Sequence, residues 1–578
     1  MTDANSSAPL FAYAAQAERV SYGNFHEPLR RPRGPQRWRL AAAGAIFATA
    51  FAVVAGNLML NAAPRTVSPA IAASLPEGGG REFAPRASIV DRNGELLAYS
   101  LPFASLYANP QEVRDATAVV DQLQQLLPSL DRQRVMAALA NQNREFAYLA
   151  RHVTPSQHAA VLDLGIPGLY FRKEYRRIYP QGSLTAHAVG VVQEDHRDGL
   201  SGIEAFLDPE LVSAPEIPQD LSIDLRVQHV VREEVQRAID KFDAIGGLGV
   251  MMDVTTGEIL ASVSLPDFDP NRLDTLTDES RINKVVGGRY ELGSMFKLIT
   301  AAAALDTGTA SEVTQFDATH SLRVYGHRIA DFRGENRWLT LREVLVHSSN
   351  IGAARMAEQV GTDTLVGYFD KFGLLGKAAV ELNESAGPLL PKRWHDINAM
   401  TASFGHGISV TPVQFAAAAG ALVNGGYLRR PTLFQMPPGS MTESARVISD
   451  QTSARMRRLM RAVVVEGSGK AANSRFYQVG GKTGTALKAE AGGYSDEKRL
   501  SSFVGAFPMD KPRYVVLVTV DEPKGRKDTL GFATGGWVAA PAVGQIVDRT
   551  GPMLGIPKSK PGADKAKGLQ TVAVRVER

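Results

Sequence analysis

Residues 40–60 carry no charge, and only Thr49 and Asn57 interrupt an otherwise apolar run. At about 1.5 Å per residue, a helix of this length spans a bilayer core of ~30 Å, so the segment predicts one transmembrane anchor. Arg30, Arg31, Arg33, Arg37 and Arg39 stand just before it. The positive-inside rule then makes residues 1–39 a short cytoplasmic tail and places everything after residue 60 outside the cytoplasm. A cleaved signal peptide is the competing reading. The leader is long for one, however, and the A-x-A triplets at 48–50 and 50–52 lie inside the apolar run.

With 578 residues and 44% hydrophobic content, the chain can bury more than one core. Residues 65–85, rich in Pro, Ala, Ser and Gly, read as a linker. From 86 to about 219 the pattern is mixed, with strand-like runs and a helical stretch at 118–127, closing on SAPEIPQD. A boundary is expected there, giving linker and first domain over 61–219 and a second domain over 220–553. The second domain opens on an amphipathic helix over 221–242, followed by two alternating runs around Thr255-Thr256-Gly257 that predict a hairpin. FYQVGGKTGTALK, SSFVGAFP and RYVVLVTVDEP supply three further strands, and 294–460 reads as largely helical. Strands at both ends with helices between predict an α+β domain whose antiparallel sheet is flanked by helices. Residues 554–578, with repeated Lys, Pro and Gly, are expected to form a solvated tail. A net charge of +4 points to no nucleic-acid partner. The lack of cysteine excludes disulfides, thiolate metal sites and a thiol nucleophile.

Three short elements carry chemistry. Ser294-Met295-Phe296-Lys297 follows Gly293 and precedes LITAAAAL, an all-apolar helical run that must be buried on every side. Serine and lysine three apart share a helix face. Burial would disfavour the lysine's charged form and fit it to take the serine proton. Spacing alone is weak evidence, because Ser495-Asp496-Glu497-Lys498 repeats it in a hydrophilic stretch that reads as a solvated loop. The second element, Ser348-Ser349-Asn350, follows a helix opened by Thr340 with Glu343 completing a capping box. Alone it reads more simply as a Ser/Asn turn. The third, Lys482-Thr483-Gly484-Thr485, lies on an edge-like strand whose glycines allow close approach of an extended peptide.

In the order S-x-x-K, S-x-N, K-T-G, these elements match the set of the penicillin-binding proteins and class A β-lactamases. From about residue 86 to 532 the chain resembles the class B penicillin-binding proteins. Arg86-x-x-Ile89-x-Asp91-Arg92-Asn93-Gly94, Arg177-x-Tyr179-Pro180 with His187 and Gly190, and Gly202-x-Glu204 resemble their pedestal (dimerisation-type) boxes. YELGSMFK, FGHGISVTPVQ and VGGKTGTA resemble the septal, FtsI-type members. The resemblance implies a penicillin-binding/serine-transferase fold on an elongated pedestal, and a D,D-transpeptidase anchored in the inner membrane with its catalytic domain periplasmic. It makes Ser294 the nucleophile, Lys297 the base, and Ser348 and Lys482 the proton route to the leaving group. Asn350 completes the catalytic set. Thr483, Gly484 and Thr485 bind substrate, and the amides of Ser294 and Thr485 form the oxyanion hole. The implied partners are stem peptides ending in D-Ala-D-Ala, β-lactams, an FtsW-type glycan polymerase and other division proteins; no cofactor or metal is implied.

Rival readings are an elongation-type transpeptidase and a non-catalytic β-lactam sensor. A β-lactamase is a third, but Ala379 stands where its hydrolytic glutamate should precede Asn383. Glu194-Asp195 is the one near match to a glycosyltransferase signature, and what should follow it is absent. Gly467-Ser468-Gly469-Lys470 fails as a phosphate loop, with Val464 and Ala471 at two key positions. His187, His347 and His406 lack metal-ligand spacing.

Overall fold

The computed structural model describes residues 85–193, 198–490 and 493–559. The predicted tail 1–39, span 40–60 and nearly all of the linker lie outside the described residues, as do Glu194-Asp195 and residues 560–578. Among the described residues, no helix is long and apolar enough to cross a membrane.

The first domain is built on strands β1 (Ile89–Val90), β2 (Leu96–Ala108), β3 (Ala147–Val153), β4 (Leu169–Ile178) and β5 (Gln219–Asp220). Long β2 pairs antiparallel with β1 at its start and with β4 and β3 farther along. Three helices, α1 (Ala116–Leu126), α2 (Arg132–Ala140) and α3 (Pro155–Asp163), bury Leu106, Val120, Leu139 and Leu149. Each begins where a side chain satisfies free amides: Asp115, Asp131, and the Thr154/Gln157 capping box with proline next. At the base, β1 pairs parallel with β5, bringing the end of the domain back to its beginning. Asp91 shapes the following turn, accepting from the amides of Asn93 at 2.7 Å and Glu95 at 2.9 Å, and from Leu225 N at 3.1 Å. Arg86 and Arg177 converge on buried Glu204 at 2.9 and 2.6 Å. Burial brings His187 down to about 4, so it is a neutral ring whose Nε2–H donates to Ser280 O at 2.7 Å. These boxes therefore encode a structural joint. Ala87, Ile89 and Leu97 share one core with Leu248 and Val250 of the second domain.

That domain contains α4 (Leu225–Phe242), β6 (Gly246–Asp253), β7 (Ile259–Leu265), α5 (Lys297–Asp306), α6 (Leu341–His347), α7 (Asn350–Val360), α8 (Pro412–Ala421), α9 (Asp450–Val465), β8 (Gly480–Glu490), β9 (Gly493–Phe507), β10 (Tyr514–Asp521) and α10 (Ala539–Met553). Its sheet runs β8-β9-β10-β6-β7, antiparallel throughout. Helices α4 and α10 cover one face, where Val231, Val516, Val518 and Ile546 meet. On the other face Leu248, Val250, Val515 and Leu517 pack with Phe296 and Phe415. Every residue of β6 and β7 is buried, because helices cover the sheet on both sides. Each buried valine or leucine there stabilises by about 1.5–3 kcal/mol. A Cβ on Gly249 would come within 2.5 Å of Val231, so glycine lets α4 settle on the sheet. The hairpin turn at Thr255-Thr256-Gly257 is held by Asp253 accepting from Thr255 N at 2.8 Å.

Two stretches differ from expectation. Ser495-Asp496-Glu497-Lys498, expected as a loop, lies within β9, where β8 and β9 run past the sheet as a two-stranded ribbon. Beyond Met553 the chain stays attached through residue 559: Ile556 packs on the core and Ser559 N donates to Phe476 O at 2.7 Å.

Candidate active site

Ser294 sits on a single 3₁₀ turn, Gly293–Phe296, that leads directly into α5, so Lys297 is the first α-helical residue. Residues 297–305 are all buried, as the apolar run requires. Gly293 adopts φ 58°, and a Cβ there would fall 2.7 Å from Thr485 O. Glycine therefore lets the turn of the nucleophile touch strand β8.

Lys297, 1% exposed, has Nζ 2.8 Å from Ser294 Oγ, 2.8 Å from Ser348 O and 2.7 Å from Asn350 Oδ1. Asn350 Nδ2 donates to Ala330 O at 3.0 Å, which fixes its oxygen toward the lysine. Burial, reinforced by the positive charge of Lys482 and opposed by Asp331, holds the Lys297 ammonium well below its ordinary range. A neutral amine has two N–H donors and one lone pair. The carbonyl and the amide oxygen can only accept, so they take both donors and leave the lone pair facing the Ser294 hydroxyl. This is the geometry of a general base.

Ser348 caps α6 in the left-handed region, φ 62° and ψ 41°, at a cost of about 1–2 kcal/mol for a non-glycine residue. The predicted Thr340/Glu343 capping box opens that helix. Ser348 Oγ accepts from Lys482 Nζ at 2.9 Å. Lys482 is fully buried, and desolvation lowers it to about 7. The middle serine of the triplet faces away from this cluster. Ser349 Oγ accepts from Gly352 N at 3.0 Å as the N-cap of α7 and donates to Asp331 Oδ2 at 2.7 Å. Asp331 also accepts from Ile351 N at 3.0 Å and from Asn350 N.

β8 is the sheet edge, as its glycines suggested. Thr483 Oγ1 lies 2.7 Å from Ser468 Oγ, and Thr485 Oγ1 accepts from Gly535 N at 3.1 Å. A Cβ on Gly484 would strike Leu292 O at 2.3 Å. The three elements thus converge: Ser294, Lys297, Ser348, Asn350 and Lys482 form one connected hydrogen-bonded cluster, flanked by Thr483, Gly484 and Thr485.

Asp331, Ser468 and Gly535 are additions that sequence reasoning missed. Asp331 follows the short strand His327–Ile329 and has no local signature. Ser468 belongs to the rejected phosphate-loop lookalike, and its flanking glycines were the available clue: a Cβ on Gly467 would meet Val346 O at 2.5 Å, beside Ser348. Glu381, of the lactamase-like Glu381-Leu382-Asn383, is buried and accepts from Thr432 Oγ1 and Leu433 N, both at 2.9 Å. Among the described residues, no His/Asp/Glu group could hold a metal ion.

Residues 247–548 match the penicillin binding protein transpeptidase domain, and residues 81–211 match the penicillin-binding protein dimerisation domain. The chain is 42% identical over 483 residues to the probable peptidoglycan D,D-transpeptidase FtsI of Caulobacter vibrioides, covering 82% of each. It is 32% identical over 496 residues to the peptidoglycan D,D-transpeptidase FtsI of Escherichia coli, covering 80% of this chain and 82% of that one. Among solved structures it is similar to penicillin-binding protein 3 from Mycobacterium tuberculosis complexed with aztreonam. That match has TM-score 0.65 and 26% identity, and covers 83% of this chain and 98% of the other.

Proposed function

The chain belongs to the penicillin-binding protein family, as a peptidoglycan D,D-transpeptidase of the FtsI type, and from that premise we propose how its cleft works. Lys297 takes the proton of Ser294 as Oγ attacks the penultimate carbonyl of a stem peptide ending in D-Ala-D-Ala. The amides of Ser294 and Thr485 stabilise the oxyanion. As the C–N bond breaks, Ser348 and Lys482 deliver a proton to the leaving D-alanine, while Thr483 and Thr485 hold its carboxylate and Gly484 permits close approach. Asn350 keeps Lys297 aimed. An amine from a neighbouring stem then attacks the acyl-enzyme ester, its nitrogen bonds to the carbonyl carbon, and Ser294 Oγ leaves with a proton. β-Lactams acylate the same serine.

The observation that carries this reading is the contact of Lys297 Nζ with Ser294 Oγ at 2.8 Å, with both remaining strong partners of that nitrogen being acceptors. Residues 40–60 serve as the single inner-membrane anchor, with the N-terminus cytoplasmic and the catalytic domain periplasmic. Glycan polymerisation comes from an FtsW-type partner meeting that segment, and the site of action is the division septum. The domains run 61–219 for linker and pedestal and 220–553 for the transpeptidase.

The deciding experiment gives the full chain, in detergent, a D-Ala-D-Ala donor and an amine acceptor. D-alanine release matching cross-link formation, and blocked by penicillin, is the expected result. Acylation by penicillin without any D-alanine release from peptide would instead mark a non-catalytic sensor.

A further inference from the structure

Three residues before the nucleophile, Glu291 is held near the cleft by neutral groups. Its Oε1 accepts from the Tyr494 hydroxyl at 2.7 Å and from Gly407 N at 2.9 Å. Its Oε2 faces His406 Nδ1 at 3.5 Å, and the side chain is 14% exposed. Among the described residues, His406 is the one basic side chain within ion-pair distance of it; no lysine or arginine is. The carboxylate is thus fixed in place with no lysine or arginine paired to it.

Its surroundings are aromatic. The His406 ring lies 4.4 Å from that of Tyr494, at 31°. Phe404 stacks 6.4 Å from His406, and its ring centre is 6.0 Å from Lys297 Nζ. A row of rings therefore runs from the catalytic lysine outward to Glu291. The loop carrying Phe404 and His406 is clamped onto the turn of the nucleophile. A Cβ on Gly405 would lie 2.2 Å from Gly293 O, and Tyr290 and Val410 exchange backbone hydrogen bonds of 2.9 and 3.0 Å.

A fixed carboxylate beside aromatic faces recognises an alkylammonium. We propose that Glu291, with the rings of His406 and Tyr494, is a docking site for an alkylammonium group of a stem peptide. This rests on the transpeptidase reading, whose second step needs an amine, and it adds where that substrate charge is held. The site makes and breaks no bond. Two sources carry the group: the acceptor whose amine attacks, and an amine-bearing side chain of the donor.

Glu291→Gln keeps the shape and an acceptor oxygen for Tyr494 and Gly407 while removing the charge. The full chain and the variant are given D-Ala-D-Ala donors whose side-chain amine is free or acetylated, with an acceptor peptide at low concentration. Stoichiometric penicillin labelling of the variant establishes that its cleft is folded. If the acceptor docks there, the ratio of cross-linked to hydrolysed product falls about tenfold. If the donor docks there, kcat/KM for the free-amine donor falls about tenfold relative to the acetylated donor. Either result supports the site. An unchanged product ratio together with unchanged donor preference overturns it. A wild-type chain that releases no D-alanine overturns the transpeptidase reading instead, and the docking site falls with it.

Discussion

At the base of the pedestal, Arg86 and Arg177 close on Glu204, and each side chain is no more than 2% exposed. In the cleft, Lys297 and Lys482 are equally buried, but among the described residues neither meets a carboxylate; their partners are hydroxyls, carbonyl oxygens and an amide. Buried opposite charges hold each other ionised and fasten a joint. Desolvation without an opposite charge, reinforced at Lys297 by the charge of Lys482, pushes a buried ammonium toward neutrality, which yields bases and proton donors usable near neutral pH. These two buried clusters therefore separate by pairing: the closed pair is architecture, the open cluster is chemistry.

That division can be broken most sharply at Lys297. Lys297→Met is expected to slow β-lactam acylation by about a thousandfold. Folding free energy should move by no more than about 1 kcal/mol, since relief of desolvation offsets two acceptors left unmade. Stopped-flow acylation and a denaturant melt check both halves. The pedestal should behave in reverse: Glu204→Gln is expected to cost about 3–5 kcal/mol in the same melt, with the acylation rate per folded molecule unchanged.

A pH series sharpens the cleft side. Lys482 sits at about 7 in the free protein, so it is charged below that pH and loses its proton as pH rises through it. If its charge serves substrate and leaving group, kcat/KM for acylation falls by about tenfold from its plateau by pH 8. Lys482→Arg, charged throughout, should lack that limb. The smallest effect belongs to the middle serine: Ser349→Ala removes the cap of α7 and costs about 1 kcal/mol, with acylation retained.

The cleft was legible where its chemistry is local in sequence. Ser294 and Lys297 share one turn, Lys482 to Thr485 are contiguous, and the Thr340/Glu343 box announces the helix that delivers Ser348. Groups supplied by distant segments left no local trace: Asp331 reaches the SSN turn from 18 residues away and Gly535 reaches Thr485 from 50. The antiparallel sheet flanked by helices matches expectation, while alternation in short runs could not by itself say that β6 and β7 are buried on both faces.

The most direct measurement is peptide mapping of the intact chain after penicillin treatment. One adduct is expected, on the peptide carrying Ser294, and it should disappear in Ser294→Ala while the variant still melts cooperatively. An adduct that survives that substitution, or maps to the peptide carrying Ser495, would contradict a nucleophile chosen by its buried lysine neighbour.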